Sequence, residues 1–330
     1  RWMNAEKRWN EVEQVFKKYK ETHSSPGNPD ALHAQWLRYR RTGRFALAEG
    51  VEEDLRKTLE MPPANERLSG WRNYVDPLYE QLERGTDVIR KADPQHVLWF
   101  NHAPRNSMED LTRFGTVADI VGCDIYPVPP DSSNGHSDLI DKTITSVGAY
   151  TRRMAKSAPG KPVWMVLQGF GWKDIGGGGS TARPTYSQTR FMAYDAIVYG
   201  ARGILYWGTH AIERDSELWS DIKKVVSELD SLQPFLSAPD RNDGYSLVEY
   251  PSSRSDERPV VFMAKERDGR WAFIVVNEAD EATQFDLCGL EKLNGKELEV
   301  LNEGESLVVK NGRVTYGLPG RGASVLVTKK

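Results

Sequence analysis

The chain has 330 residues, with 44 Lys and Arg against 47 Asp and Glu and a net charge of −3. That length accommodates two domains, while the lack of a basic surplus argues against a nucleic-acid groove. No apolar run approaches the roughly 18 residues of a membrane span, so neither nucleic acid nor membrane is an expected partner. Cys123 and Cys288 lie far apart, and neither a disulfide framework nor a thiolate metal site is expected from them. No signal peptide is visible, and a chain that starts at Arg1 rather than Met is expected to lack its natural beginning. A secreted or periplasmic location would follow if the native chain carried a leader.

Residues 1–66 read as helical. Trp2, Ala5, Trp9, Val12, Phe16 and Tyr19 form a stripe at helical spacing. Ser24 to Pro29 breaks it, and a second helix is expected behind an Asp30 cap, ending near Arg41 and Gly43. A third runs from about Ala46 to Glu60 and stops at Pro62 and Pro63. From residue 67 to 238 strands and helices alternate, the pattern of a parallel sheet. The expected strands are Leu68–Tyr74, Val97–Asn101, Asp119–Ile125, Pro162–Gln168 and Ile204–Trp207. The helices between and after them are Leu78–Lys91, Met108–Phe114, Asp138–Ser157, Tyr186–Tyr199 and Ser216–Leu232. Beyond Pro239 eight short alternating segments follow, with turn signals at Asp268-Gly269, Asn294-Gly295 and Asn311-Gly312. Such a pattern predicts an antiparallel β-sandwich over 239–330.

Polar residues and aromatics at strand ends carry the functional signal. Lys161 to Trp172 is a buried-strand run that ends in Gln168, Gly169 and two aromatics. Strands of α/β barrels deliver side chains to an active-site face in this way. Val97–His102 and Gly203–Gly208 are similar units. Asn101, His102, Tyr126, Gln168, Trp172, Trp207, His210 and Glu213 are therefore candidate substrate contacts: amides bond hydroxyls, and flat rings stack on the apolar faces of sugars. The alternative for each ring is an ordinary core position. With no second histidine or cysteine at metal spacing, His210 is not expected to hold a metal. No nucleophile elbow, phosphate loop or dinucleotide fingerprint occurs. Gly176–Ser180 has the composition of a flexible spacer, either a natural glycine loop or an engineered replacement.

Taken together, Thr86 to Leu236 resembles the second half of a glycoside-hydrolase (β/α)8 barrel. The similar stretches are Arg90–Pro94 leading into Val97–His102, Cys123–Pro127, Lys161–Trp172, and Phe191–Tyr194 leading to Gly200–Gly208. The resemblance implies a TIM-barrel-like module, incomplete or rebuilt in its N-terminal half, then a sandwich. It also implies a carbohydrate substrate and hydrolysis of a glycosidic bond without a cofactor. Many of these hydrolases carry an acid/base carboxylate after strand four and a nucleophile after strand seven. Here the strand-four candidate offers Asp76, and the strand-seven end offers Gln168, which is not a carboxylate. Such hydrolysis needs two carboxyl groups facing the scissile bond, so Asp76 is expected as general acid and Asp124 as its partner. An Asp-Pro helix cap for Asp76 and a structural acid for Asp124 are the alternatives. A non-catalytic carbohydrate-binding protein and a rebuilt barrel scaffold remain open as whole-chain readings.

Overall fold

The computed structural model describes residues 4–64, 69–129, 141–177, 180–250 and 259–329. The chain divides into two compact units, Arg1–Ile125 with His136–Met165, and Tyr126–Gly135 with Val166–Lys330.

The first unit begins with α1 (Ala5–Thr22), α2 (Asn28–Arg41) and α3 (Phe45–Thr58). The Asn4 side chain caps α1 by accepting from the backbone of Glu6 and Lys7. Helix α2 starts two residues before the expected cap: Pro29 sits in its first turn, and Asp30 reaches back to accept from Gly27 N at 2.9 Å. The stripe on α1 packs inward where it is described: Val12 is fully buried, Trp9 stacks on Phe45 with centroids 5.8 Å apart and Phe16 on His33 at 3.8 Å, while Trp2 lies outside the described residues. Arg8 beside the stripe is fully buried as well. Arg8 Nε meets Glu52 at 2.8 Å, Arg56 Nε meets the other Glu52 oxygen at 2.9 Å, and Arg105 holds Glu49 at 2.8 Å. Burial pushes both glutamates upward in pKa, against the pull of these guanidinium groups.

Then come α4 (Ser69–Ala92), β1 (Trp99–His102), α5 (Met108–Gly115), β2 (Ile120–Ile125), α6 (Ser146–Ser157) and the start of β3 (Val163–Gln168). The expected strand Leu68–Tyr74 is overturned: 69–74 open α4, and Leu68 lies outside the described residues. Helix α6 begins later than Asp138. Residues 138–140 lie outside the described residues, and the Asp141 carboxylate bonds Thr143 and Ala46 N, a local turn that competes with helix. Strands β1 and β2 pair in parallel, Trp99 opposite Ile120. Val121 N donates to Pro162 O, which sets β2 and β3 start by start. A Cβ at Gly122 would fall 1.6 Å from Trp164 O, so glycine permits this close approach.

Strand β3 passes into the second unit, and the strand order is β1-β2-β3-β4. There it is followed by α7 (Tyr186–Val198), β4 (Ala201–Trp207), α8 (Glu217–Ser231) and α9 (Gln233–Leu236). Thr185 and Gln188 form a reciprocal capping box on α7. Arg190 and Tyr194 of α7 both bind Glu228 of α8, at 2.8 and 2.7 Å. The eight segments beyond Pro239 form β5 (Ser246–Glu249), β6 (Val260–Arg267), β7 (Arg270–Asn277), β8 (Thr283–Cys288), β9 (Glu297–Val300), β10 (Glu305–Val308), β11 (Arg313–Leu318) and β12 (Ala323–Thr328). They make a five-stranded sheet, β10-β9-β12-β7-β6, and a three-stranded one, β11-β8-β5, with antiparallel pairing. Phe273, Val275, Phe285, Leu287, Leu298 and Leu326 share one core cluster there. Where the barrel expectation asks for eight parallel strands, the described residues supply the four of β1 to β4.

Candidate functional site

In the second unit, Trp207 ends β4 with its side chain on the surface, 44% exposed. Its ring lies on Tyr126, with centroids 5.7 Å apart at 22°. Phe170 meets it edge-on at 5.2 Å and His210 at 5.8 Å. The turn behind the ring needs glycine. Gly208 has φ +84°, and a Cβ there would fall 2.4 Å from the Phe170 ring. A Cβ at Gly169 would fall 2.8 Å from Trp207 O. The result is an indole stacked on one ring, edged by two others and still partly exposed, features that suit a stacking platform.

The neighbouring candidates do other work. Gln168 is fully buried. Its Oε1 accepts from Val128 N at 2.9 Å, and its Nε2 donates to Val128 O at 2.7 Å and Phe170 O at 3.0 Å. Both amide hydrogens are thus used on the main chain, which corrects the expectation that this amide meets a sugar hydroxyl. Trp172 is likewise a core residue, packed with Phe170, Ile212, Leu218 and Ile222, and its buried Nε1 has no hydrogen-bond partner among the described residues.

Arg183, which the sequence reading passed over, organises the loop carboxylates. It binds Asp174 through two nitrogens at 2.8 Å each and Glu213 at 2.9 Å. The bond to Arg183 holds the Asp174 carboxyl below its usual range. A bond to its own backbone N–H, then Arg183, does the same for Glu213. Both are therefore ionised at neutral pH, a state suited to a base or nucleophile and not to an acid. Asp174 and Arg183 also bracket the glycine run, of which 178–179 lie outside the described residues. The available signal was an acid and an arginine, Asp174 and Arg183, placed on either side of the glycine run.

In the first unit, Asn101 Nδ2 donates to Asp124 Oδ1 at 2.9 Å, so β1 and β2 bring these two strand-end candidates together. His102 ends β1 buried, and desolvation pulls its pKa down to about 4. Its Nε2 has no hydrogen-bond partner among the described residues. Asp76 does not sit at a strand end. It lies within α4 and is ion-paired to Arg113 of α5, so the positional ground for its general-acid role is absent. Among the described residues no three His, Cys, Asp or Glu side chains gather as a metal would need.

No protein-family model matches the chain, and no curated protein matches it. Solved structures similar to it include α-galactosidase I from Mortierella vinacea, at 11% identity and TM-score 0.47, covering 78% of this chain and 64% of that one. A GH27 β-L-arabinopyranosidase from Geobacillus stearothermophilus shows 15% identity and TM-score 0.47, with 82% and 64% covered. A GH30 endoxylanase from Clostridium papyrosolvens shows 14% identity and TM-score 0.42, with 89% and 72% covered. The chain thus spans under two thirds of the length of the first two.

Proposed function

We propose that this protein recognises a carbohydrate at Trp207 and belongs, in chemistry, with the glycosidases. The observation that carries the reading is the supported indole: stacked on Tyr126, edged by Phe170 and His210, and still partly exposed at the end of β4. Glu213, three residues after His210, supplies an acceptor for sugar hydroxyls. In the hydrolytic reading Asp124 is the carboxylate that attacks the sugar or activates water. Recognition without turnover is the second reading. It is favoured by Asp76, whose carboxylate is engaged by Arg113 on a helix.

The two readings part in a single set of assays. Calorimetry with xylo-, galacto- and malto-oligosaccharides should detect binding that Trp207→Ala weakens at least tenfold. Aryl glycosides of the same sugars should be turned over by the parent and not by Asp124→Asn, which keeps an acceptor for Asn101. Binding without turnover supports the second reading. Equal binding by parent and Trp207→Ala would refute the platform itself.

A further inference from the structure

Within the second unit two cations share one carboxylate. Arg202 Nη2 of β4 donates to Asp240 Oδ2 at 2.8 Å, and Lys265 Nζ of β6 lies 2.6 Å from Asp240 Oδ1. Lys265 is fully buried. It also donates to Ala238 O at 2.7 Å and reaches Leu236 O at 3.4 Å, so its three hydrogens are committed. Burial, and then the charge of Arg202, hold its pKa below the usual lysine range against the pull of Asp240. Burial also opposes the Asp240 charge, yet Arg202 and Lys265 hold that carboxyl below its usual range. The trio therefore carries one positive charge in excess. Arg202, 40% exposed, uses Nη2 alone on Asp240 among the described residues, which leaves the rest of its fork for a ligand.

Arg202 and Lys265 line a cavity of about 630 Å³, a size suited to small molecules. Its apolar lining comes from Ile204 of β4, Val226 and Leu229 of α8 and Leu236 of α9. Val226 is 49% exposed, an apolar side chain without cover. Arg202, Ile204 and Tyr206 share one face of β4 by strand alternation, so a cation, an apolar side chain and a phenol follow one another along the wall. The Tyr206 hydroxyl is buried and has no hydrogen-bond partner among the described residues. Burial pushes its pKa up, so it keeps its proton and is a donor without an acceptor. Asp230, Gln233 and Ser237 add polar lining, but all three are exposed, and water screens the charge of Asp230. The polar groups buried at this cavity are thus a cation and a donor, and both call for an acceptor with negative charge.

We propose that the cavity binds an apolar carboxylate, with its oxygens on Arg202 beside the excess positive charge and its hydrocarbon body against Ile204, Val226 and Leu229. A carboxylate matches the guanidinium fork, and the body covers apolar surface that water otherwise wets. A further ligand oxygen that reached Tyr206 would satisfy the orphan hydroxyl. The site does not draw on Trp207, whose side chain leaves β4 on the other face, so it stands apart from the saccharide reading.

The test is calorimetric titration of the full chain with octanoate, octylamine and octanol, which carry one tail on an anionic, a cationic and a neutral head. Octanoate should bind, and the amine and the alcohol should bind at least tenfold more weakly. Acetate, a head without the tail, should not bind. Arg202→Gln and Val226→Glu alter partly exposed positions, so the fold should survive, as circular dichroism would show. The first removes the fork and the second sets a like charge where the tail lies, and each should weaken octanoate at least tenfold. A parent that takes up no octanoate at roughly 5 mM overturns the inference. So does octanol that binds as tightly as octanoate, or an octanoate affinity that both variants leave unchanged.

Discussion

Replacing Gln168 by leucine removes three hydrogen bonds at once from a fully buried site. Val128 N loses its acceptor, and Val128 O and Phe170 O lose their donors. Both Val128 and Phe170 are buried, so the groups left behind stay desolvated. A buried group left unsatisfied costs about 1–3 kcal/mol. Three of them, less the gain from an apolar side chain, give a loss of about 3–5 kcal/mol, a large share of the ~5–15 kcal/mol that holds a domain folded. In urea unfolding followed by tryptophan emission this corresponds to a midpoint lower by roughly 1–2 M. Gln168→Glu sharpens the argument. It preserves the acceptor for Val128 N but sets a carboxyl against two carbonyl oxygens in a buried site, so its folded pKa must rise above its unfolded value. The stability it contributes is fully present below the unfolded pKa and is lost as pH rises through the folded one. The glutamate variant should therefore stand nearest the parent in acid and fall away toward neutrality, while the leucine deficit stays flat with pH. A leucine variant that melts within about 0.5 kcal/mol of the parent would refute the clamp and return Gln168 to the list of possible substrate contacts.

His102 should titrate near pH 4 by NMR, because burial opposes its charged form. Its folded pKa lies below the unfolded value of about 6.5, so the unfolded chain binds the extra proton and stability falls as pH drops from 6.5 toward 4. Between pH 8 and pH 5 the loss is about 2 kcal/mol, and His102→Gln should abolish that share of the slope; a midpoint near 6.5 would contradict the assignment. Glu52→Gln leaves Arg8 and Arg56 facing an uncharged amide in the interior and should cost about 3–5 kcal/mol in a urea melt. Replacing Arg8, Glu52 and Arg56 together by Met, Leu and Leu should restore most of that loss, since buried Glu49 keeps Arg105 and Glu11, released from Arg56, stands in solvent.

Local chemistry was legible wherever one residue type alone satisfies a backbone demand. Asp268-Gly269 and Asn311-Gly312 adopt positive φ at both positions, the tight hairpin turn that these pairs announce. Pairing follows from them, with Arg267 opposite Arg270 and Lys310 bridged to Arg313. Asn294-Gly295 also turns, but with φ negative at Asn294, after a short 3-10 helix and not between two strands. What a polar side chain does at a strand end was not legible. Gln168 and Asn101 look alike in sequence, yet one holds Val128 from within and the other lies exposed beside Asp124. The difference depends on which loop crosses above the strand, information that sits forty residues away in the case of Val128. Arg8 escaped notice for the same reason: a charge at helical spacing reads as solvated until Glu52 and Glu49 of another helix are known to face it.

Asp76 shows how two honest local signals can point the wrong way together. Pro77 has no N–H to return to the preceding turn, and in a helix interior that costs about 3 kcal/mol. It also disfavours helical geometry for Asp76 just before it. Each signal argues for a chain break at Asp76, and a break after an apolar stretch looks like the end of a strand. The 24-residue helix nevertheless runs straight through both positions. Contacts on either side of the proline offset its cost. Val75 is buried, Asp76 is paired with Arg113, Arg113 lies 4.3 Å over the Tyr79 ring, and Tyr79 meets Phe114 edge-on at 5.7 Å. A partly exposed ion pair adds only ~0.2–1 kcal/mol, so the weight falls on the apolar and aromatic contacts with α5, each of which needs the helical path to be made. Tertiary packing thus overrides the local preference of Asp76 and Pro77, and by doing so it turns the carboxylate toward a guanidinium on a helix instead of leaving it at the end of a strand.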